Sequence, residues 1–280
     1  MTNDRIDPEW LGLKAGLRPA IRLTVEPSWV EEVSQVFTKM DATVLQSEGT
    51  VVIDHRTVQI LYIGRDEEVL KELRTAEWPL FDHPEKLTVQ DKIDRHRIIG
   101  RCLGFPSCCV EAFCAWSGRG VGTLEAGGPI VASEPYVSAY EARVPSPNPL
   151  LNDQLEQLRL RLITFSPCSY TCEAASTFAS KLFKAIEDFH GAEPAQNLLA
   201  QLSRPTAIGK DGQRAWIHCS SSAPHTIEQA EALPGPEGRP PDSRDVDFAA
   251  SLKGARINPD GLIEGAENPA PLCLFFARAP

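Results

Sequence analysis

Hydrophobic and polar positions alternate from Ile21 to Val25, a pattern that predicts a strand. The spacing then becomes helical: Trp29, Val33, Val36, Phe37 and Met40 share one face, with Ser28 placed as N-cap and Glu31 and Glu32 in the first turn. Thr43–Gln46 and Thr50–Ile53 flank Ser47-Glu48-Gly49 and read as a hairpin that turns there. Val58–Ile63 predicts a further strand, and Gly64-Arg65-Asp66 leads into a helix carrying Val69, Leu70 and Leu73. This β-α-β-β-β-α order predicts an α+β sandwich on a mixed sheet over residues 1–88, with Trp78–Leu87 as a proline-bearing connector.

From Val89 the pattern is helical, through Ile93, Arg97, Ile98 and Cys102. Gly104 and Pro106 end that helix and begin another, lined by Val110, Phe113, Cys114 and Trp116. Residues 117–150 are rich in Gly, Pro and Ser and read as a loop, of a length that points to a functional or a mobile segment. Leu150–Leu158 reads as helix and Arg159–Phe165 as a buried strand. A helix then runs from about Ser169 to Phe189, with Ala175, Phe178, Ala179, Leu182, Phe183 and Ile186 apolar and His190-Gly191 closing it. Residues 89–190 thus form a helical, cysteine-rich middle. Residues 191–280 form a β-containing C-terminal part: a hairpin over Arg204–Cys219 around Lys210-Asp211-Gly212, a Pro/Gly-rich spacer over Pro234–Asp242, and a last strand over Leu272–Ala277. The fold class is α+β.

Charge and composition narrow the function. The 280 residues carry a net charge of −10, which argues against a nucleic-acid footprint and a polybasic membrane-surface segment. No stretch approaches the roughly 18 apolar residues of a spanning helix, and Met1–Pro8 lacks the basic start and apolar run of a secretory signal. The expectation is a cytoplasmic protein without membrane partners, its protein partners unknown. In that reducing setting, eight cysteines point to metal binding or catalysis rather than to structural disulfides.

Four of those cysteines cluster in two short segments, Gly104-Phe105-Pro106-Ser107-Cys108-Cys109-Val110-Glu111 and Ser166-Pro167-Cys168-Ser169-Tyr170-Thr171-Cys172-Glu173. Both read as proline-led helix entries. Unpaired N–H groups and the positive end of the macrodipole favour the thiolate there, the form that binds metals and attacks electrophiles. With Ser169 as N-cap, Cys172 falls at the third helical position and Cys168 just outside. Zinc favours C-x₂₋₄-C spacing, which the second segment meets and the first does not. Adjacent Cys108 and Cys109 differ by roughly 100° about a helix axis and could serve two irons of one [4Fe–4S] cluster. The expected ligands are Cys109, Cys168 and Cys172, with Cys108 fourth. Were only three to ligate, Cys108 or Cys168 would stand aside and leave an open iron. Cys102, Cys114, Cys219 and Cys273 read as small buried hydrophobes.

Around these segments, Glu111 and Glu173 are candidates for a proton relay or for support of the ligands, against the alternative of favourable charge in a first helical turn. Ser107 and Ser169 read as N-caps, with hydrogen-bond donation to cluster sulfur as the alternative. His96 sits on a polar helix face. His218, which precedes Cys219 at a strand end, and His225 in a Ser-rich loop are a candidate extra ligand pair, against the ordinary reading as strand-end and loop residues, and Arg95, Arg97, Arg101 and Arg119 could bind an anionic substrate or pair with acidic groups of the protein. The chain lacks the P-loop, the strand-linked G-x-G-x-x-G, the G-x-S-x-G and the H-E-x-x-H motifs.

Cys108, Cys109 and Glu111 resemble the tandem-cysteine ligation in the cluster-bearing small subunits of respiratory complex I and of nickel–iron hydrogenases. A longer likeness joins Leu103–Phe113 to Pro167-Cys168-Ser169-x-x-Cys172. These segments resemble an uncharacterised prokaryotic domain-of-unknown-function family with G-[YF]-P-x-C-C-V and P-C-S-x-x-C boxes, over roughly residues 96 to 190. Many members carry a His two positions before the first cysteine of the second box, where this chain has Ser166. The resemblance implies a shared cysteine site.

The expected function is that of an iron–sulfur protein. As an enzyme it would use an open iron on a small-molecule substrate, for sulfur transfer, desulfuration or a non-redox lyase or hydrolase step. Two alternatives stand beside it: a zinc-stabilised, non-catalytic binding module, and a metal-free thiol enzyme with Cys108 or Cys168 as nucleophile.

Overall fold

Asp7 caps the first helix, α1 (Pro8–Lys14), its carboxylate accepting the Glu9 and Trp10 N–H groups at 3.0 and 3.1 Å. The computed structural model describes residues 7–53, 55–117, 148–152, 155, 161–209, 213–220, 225–234, 240–258, 263–265 and 272–274. The chain divides into two compact units, Met1–Ala132 and Ser133–Pro280. Helices and sheets occur in both, so the fold is α+β.

In the first unit, β1 (Ala20–Val25), α2 (Val30–Thr38), β2 (Thr43–Ile53), β3 (Arg56–Gly64) and α3 (Glu67–Asp82) follow in order. The strands lie β1-β3-β2, and both pairings are antiparallel. The sheet is therefore not mixed: β1 and β2 run the same way, but β3 inserts between them, a split β-α-β arrangement. Ser28 lies in a 3₁₀ turn, Pro27–Trp29, and Trp29 is the α2 N-cap instead. The turn expected at Ser47-Glu48-Gly49 is a bulge inside a single strand, β2. The buried Ser47 hydroxyl makes this possible. It accepts from the Ile60 N–H at 3.2 Å and Gln59 Nε2 at 2.8 Å and donates to the Gly49 carbonyl at 2.7 Å, replacing ladder bonds that the bulge removes.

Successive β3 residues supply both cores. Val58, Ile60 and Tyr62 pack with Leu70, Leu73 and Ala76 of α3 and with Ile99 and Cys102 of α4 (Val89–Cys102). Leu61 and Ile63 pack with Leu13 and Phe37 on the opposite face. The connector expected at 78–87 is largely helix, because α3 continues through Pro79. Proline cannot donate to the carbonyl four residues back. Arg95 on α4 donates to that Thr75 carbonyl at 3.0 Å, and to Ala76 at 3.2 Å.

In the second unit, a 3₁₀ turn at Pro149–Leu151 precedes α6 (Glu173–His190) and α7 (Ala192–Leu202). The preceding helix of the first unit, α5, is Ser107–Ser117. Residues 161–165 form no strand, although Leu162, Ile163 and Phe165 are buried. A short apolar run has this signature whether or not a neighbouring strand exists to pair with it. A six-stranded sheet follows, ordered β8-β7-β6-β5-β4-β9. Its strands are β4 (Thr206–Ile208), β5 (Arg214–Cys219), β6 (His225–Ala232), β7 (Arg256–Ile257), β8 (Ile263–Glu264) and β9 (Leu272–Leu274). Helix α8 (Ser243–Leu252) lays Phe248, Ala249 and Leu252 on Ile217, Ile227 and Ile257 of this sheet. The expected β4–β5 hairpin and last strand are present, while its turn at 210–212 and positions 275–277 lie outside the described residues. So do 118–147 of the long loop, 235–239 of the spacer, and most of the helix expected at 150–158.

Candidate metal centre

The first cysteine pair is set by a tight corner between α4 and α5. Gly104 has φ +73°, a left-handed conformation that a side chain resists. Its N–H donates to Arg101 at 3.0 Å, and the Phe105 N–H reaches back to Gly100 at 2.9 Å. These two bonds make a Schellman motif, with Leu103 as C-cap. The orphan Leu103 carbonyl accepts from Arg18 Nη1 at 3.2 Å, and the Arg18 guanidinium lies over the Phe105 ring at 5.3 Å. Arg18 is 2% exposed, and sequence reasoning passed it over because Leu17-Arg18-Pro19 carries no motif. The Pro106 carbonyl then accepts from Cys109 and Val110 at 2.9 and 3.0 Å and starts α5. Cys108 and Cys109 are its second and third residues, Cys108 exposed and Cys109 buried.

The second pair is held by a different device. The Ser169 hydroxyl accepts the Thr171 N–H at 3.0 Å, and the Ser169 carbonyl accepts the Cys172 N–H at 3.0 Å. Fully buried Tyr170 anchors this turn, its carbonyl accepting the Asn148 N–H at 3.0 Å. Cys172, not Ser169, is the N-cap of α6, and its sulfur accepts the Ala175 N–H at 3.4 Å. The helix therefore starts later than its pattern predicts, because the serine builds a turn ahead of it. Cys168 and Cys172 are both half-buried. Ala175, Ala179, Leu182 and Ile186 form the buried face of α6.

The sulfurs of Cys108, Cys109, Cys168 and Cys172 all lie within 4.8 Å of one another, and those of Cys108 and Cys109 are 3.9 Å apart. This is the grouping expected from the two segments, and these four residues could hold a metal ion. No other cluster of three or more His, Cys, Asp or Glu side chains with such spacing occurs among the described residues. His218, Cys219 and His225 do not form one: His225 Nδ1 meets the Ser220 carbonyl at 2.8 Å, and His218 lies 3.5 Å from Arg204.

Cys102, Cys114 and Cys219 behave as packed side chains, while the side chain of Cys273 lies outside the described residues. Burial pushes the Cys102 and Cys219 thiols up to about 11, and raises that of Cys114. Cys102 also donates to the Glu72 carboxylate at 3.6 Å.

Glu111 is engaged by Arg97 through three hydrogen bonds of 2.8 to 3.2 Å. The guanidinium holds its carboxyl below the usual range, so it is ionised at neutral pH and can accept but not supply a proton. Glu173 is exposed in the first turn of α6, where its charge meets the positive end of the helix. Ser107 is the first residue of α5 rather than a residue ahead of it. His96 is not a solvated side chain: it packs edge-on against Phe113 with centroids 5.1 Å apart. Of the four arginines, Arg95, Arg97 and Arg101 bond to α3 carbonyls, to Asp94 and Glu111, and to Glu72 respectively, while Arg119 lies outside the described residues.

No protein-family model, no curated protein and no solved structure matches this chain. Among the described residues, no helix is long and apolar enough to cross a membrane.

Proposed function

We propose that this is a zinc protein whose four thiolates surround a single tetrahedral ion. The span of the sulfurs carries this reading. Zinc–thiolate bonds of about 2.3 Å in a tetrahedron set neighbouring sulfurs about 3.8 Å apart. A [4Fe–4S] cube holds its four thiolates on four separate irons and so spreads them farther apart than a single ion does. The observed limit of 4.8 Å, with 3.9 Å between the adjacent pair, suits the single ion better. The roughly 100° between neighbouring helical residues is bridged by side-chain rotation, so adjacency does not require two irons. The two boxes support placing the chain with the prokaryotic family they resemble, which in this reading shares the centre.

A second reading is the [4Fe–4S] cluster, with an open iron for sulfur transfer, desulfuration or a lyase or hydrolase step. The exposure of Cys108 favours it, because that side chain can swing outward and widen the set. Metal analysis of anaerobically purified protein separates the two. The zinc reading expects colourless protein with one zinc per chain, lost when Cys109 or Cys172 is replaced by Ser. Brown protein absorbing near ~400 nm with several irons per chain establishes the cluster instead, and metal-free protein overturns both.

A further inference from the structure

We infer that Cys108 is a nucleophile, a zinc-activated thiolate that accepts an alkyl group from a small, soft electrophile. The inference rests on the zinc reading above. Four thiolates on one Zn²⁺ leave a formal excess of two negative charges. That excess resides on sulfur and makes the most accessible thiolate reactive at neutral pH, without a neighbouring base.

The four sulfurs differ in what can reach them. Cys109 is 2% exposed, which leaves no path for the in-line approach that displacement at carbon requires. Cys172 caps α6, and the Ala175 N–H draws on its charge at 3.4 Å. Cys168 is half-buried and follows buried Pro167. Cys108 is exposed, and it stands in the first turn of α5, where the helix end also favours an anion. The three other thiolates would keep the ion when this one reacts.

The step balances without an oxidant. The Cys108 sulfur lone pair forms a bond to the alkyl carbon. The bond from that carbon to its leaving group breaks, and the leaving group departs as an anion with the electron pair. The product is a neutral thioether, and the excess charge at the centre falls from two to one. Glu111 takes no part, since no proton moves and its carboxylate is held by Arg97.

The test is a short pulse of limiting iodoacetamide on the zinc-loaded full chain at neutral pH, followed by peptide mass mapping. Zinc per chain is measured on the same sample before the pulse. Cys108 is expected to be carbamidomethylated at least about tenfold faster than Cys109, Cys168 or Cys172. After chelation the preference should collapse, all four thiols reacting within a few-fold of one another. Cys108→Ser should lose the fast reaction without any of the other three cysteines acquiring it. If zinc is present but protects Cys108 as well as the other three, or if Cys168 or Cys172 reacts first, the inference fails and the zinc reading stands. If no zinc is found, the zinc reading itself fails, and the inference with it.

Discussion

His96 shows how a polar residue in a charged stretch acquires a structural role. In Asp94-Arg95-His96-Arg97 its neighbours face solvent or pair across the surface, yet its ring is half-buried against Phe113. Burial first, then the charges of Arg22 and Lys92, lower its pKa to about 4. The imidazole is therefore neutral in the folded protein and takes a proton near pH 6.5 when unfolded. Between about pH 6.5 and 4 the unfolded chain binds more protons, so acidification destabilises the fold across that window and adds nothing further below it. Discounted for partial exposure, the loss is about 1–2 kcal/mol. Replacing His96 by Phe should flatten urea-unfolding stability over that range while leaving stability at pH 7.5 nearly unchanged; an unaltered acid slope would exclude His96 as its source. Glu111 gives a second check at this scale. Glu111→Gln removes a carboxylate already committed to Arg97 and distant in role from the sulfurs, so metal content should not change. Loss of the metal on this substitution would make Glu111 part of the centre.

Helices α4 and α5 meet at a contact that their sequence pattern does not announce. A Cβ on Gly100 would lie 2.4 Å from Val110 Cγ2, well inside van der Waals contact. The absent side chain is what lets α5 approach, and α5 carries Cys108 and Cys109. Gly100→Ala is expected to destabilise by about 1–3 kcal/mol and to weaken metal binding. Adding Val110→Ala should restore most of both, a coupling that a double-mutant cycle on unfolding and metal affinity would measure. Additive losses would show that the two positions do not touch. The cysteine grouping itself was legible, because thiols beside proline and glycine at helix entries form an uncommon pattern. Capping was less so: Ser169 looked like an N-cap, but a serine hydroxyl that builds its own turn displaces the cap to Cys172. The bulge at Ser47–Gly49 and the continuation of α3 through Pro79 were hidden for a related reason. Each depends on a distant partner, the Ile60 N–H in one case and Arg95 in the other, which no local window contains. The mixed sheet failed on strand order, since β3 pairs with β1 across an intervening helix and strand.

At the scale of the whole molecule, the question is how much of the fold depends on the metal. Each unit has a hydrophobic core of its own, around β3 in the first and around β5, β6 and α8 in the second. Apart from Phe105, which packs against the first of them, these cores are assembled from residues outside the two cysteine segments and need no ion to bury them. Small zinc modules without such cores unfold when stripped, whereas this chain should keep most of its helix and sheet. The four thiols would still lose their common partner, and thiolates brought within 4.8 Å repel when nothing neutralises them. Binding of a ligand to the folded state alone, at a hundred- to a thousandfold excess over its dissociation constant, contributes about 3–4 kcal/mol. For a protein of this size that corresponds to a fall in Tm of roughly 5–15 °C on chelation. Far-UV circular dichroism before and after chelation, with thermal scans of both forms, measures the two expectations together. Retained secondary structure with a lowered Tm, restored on adding zinc back, is the expected result. Complete loss of secondary structure would make the metal a condition of folding, and an unchanged Tm would mean that the ion is not bound selectively by the folded state.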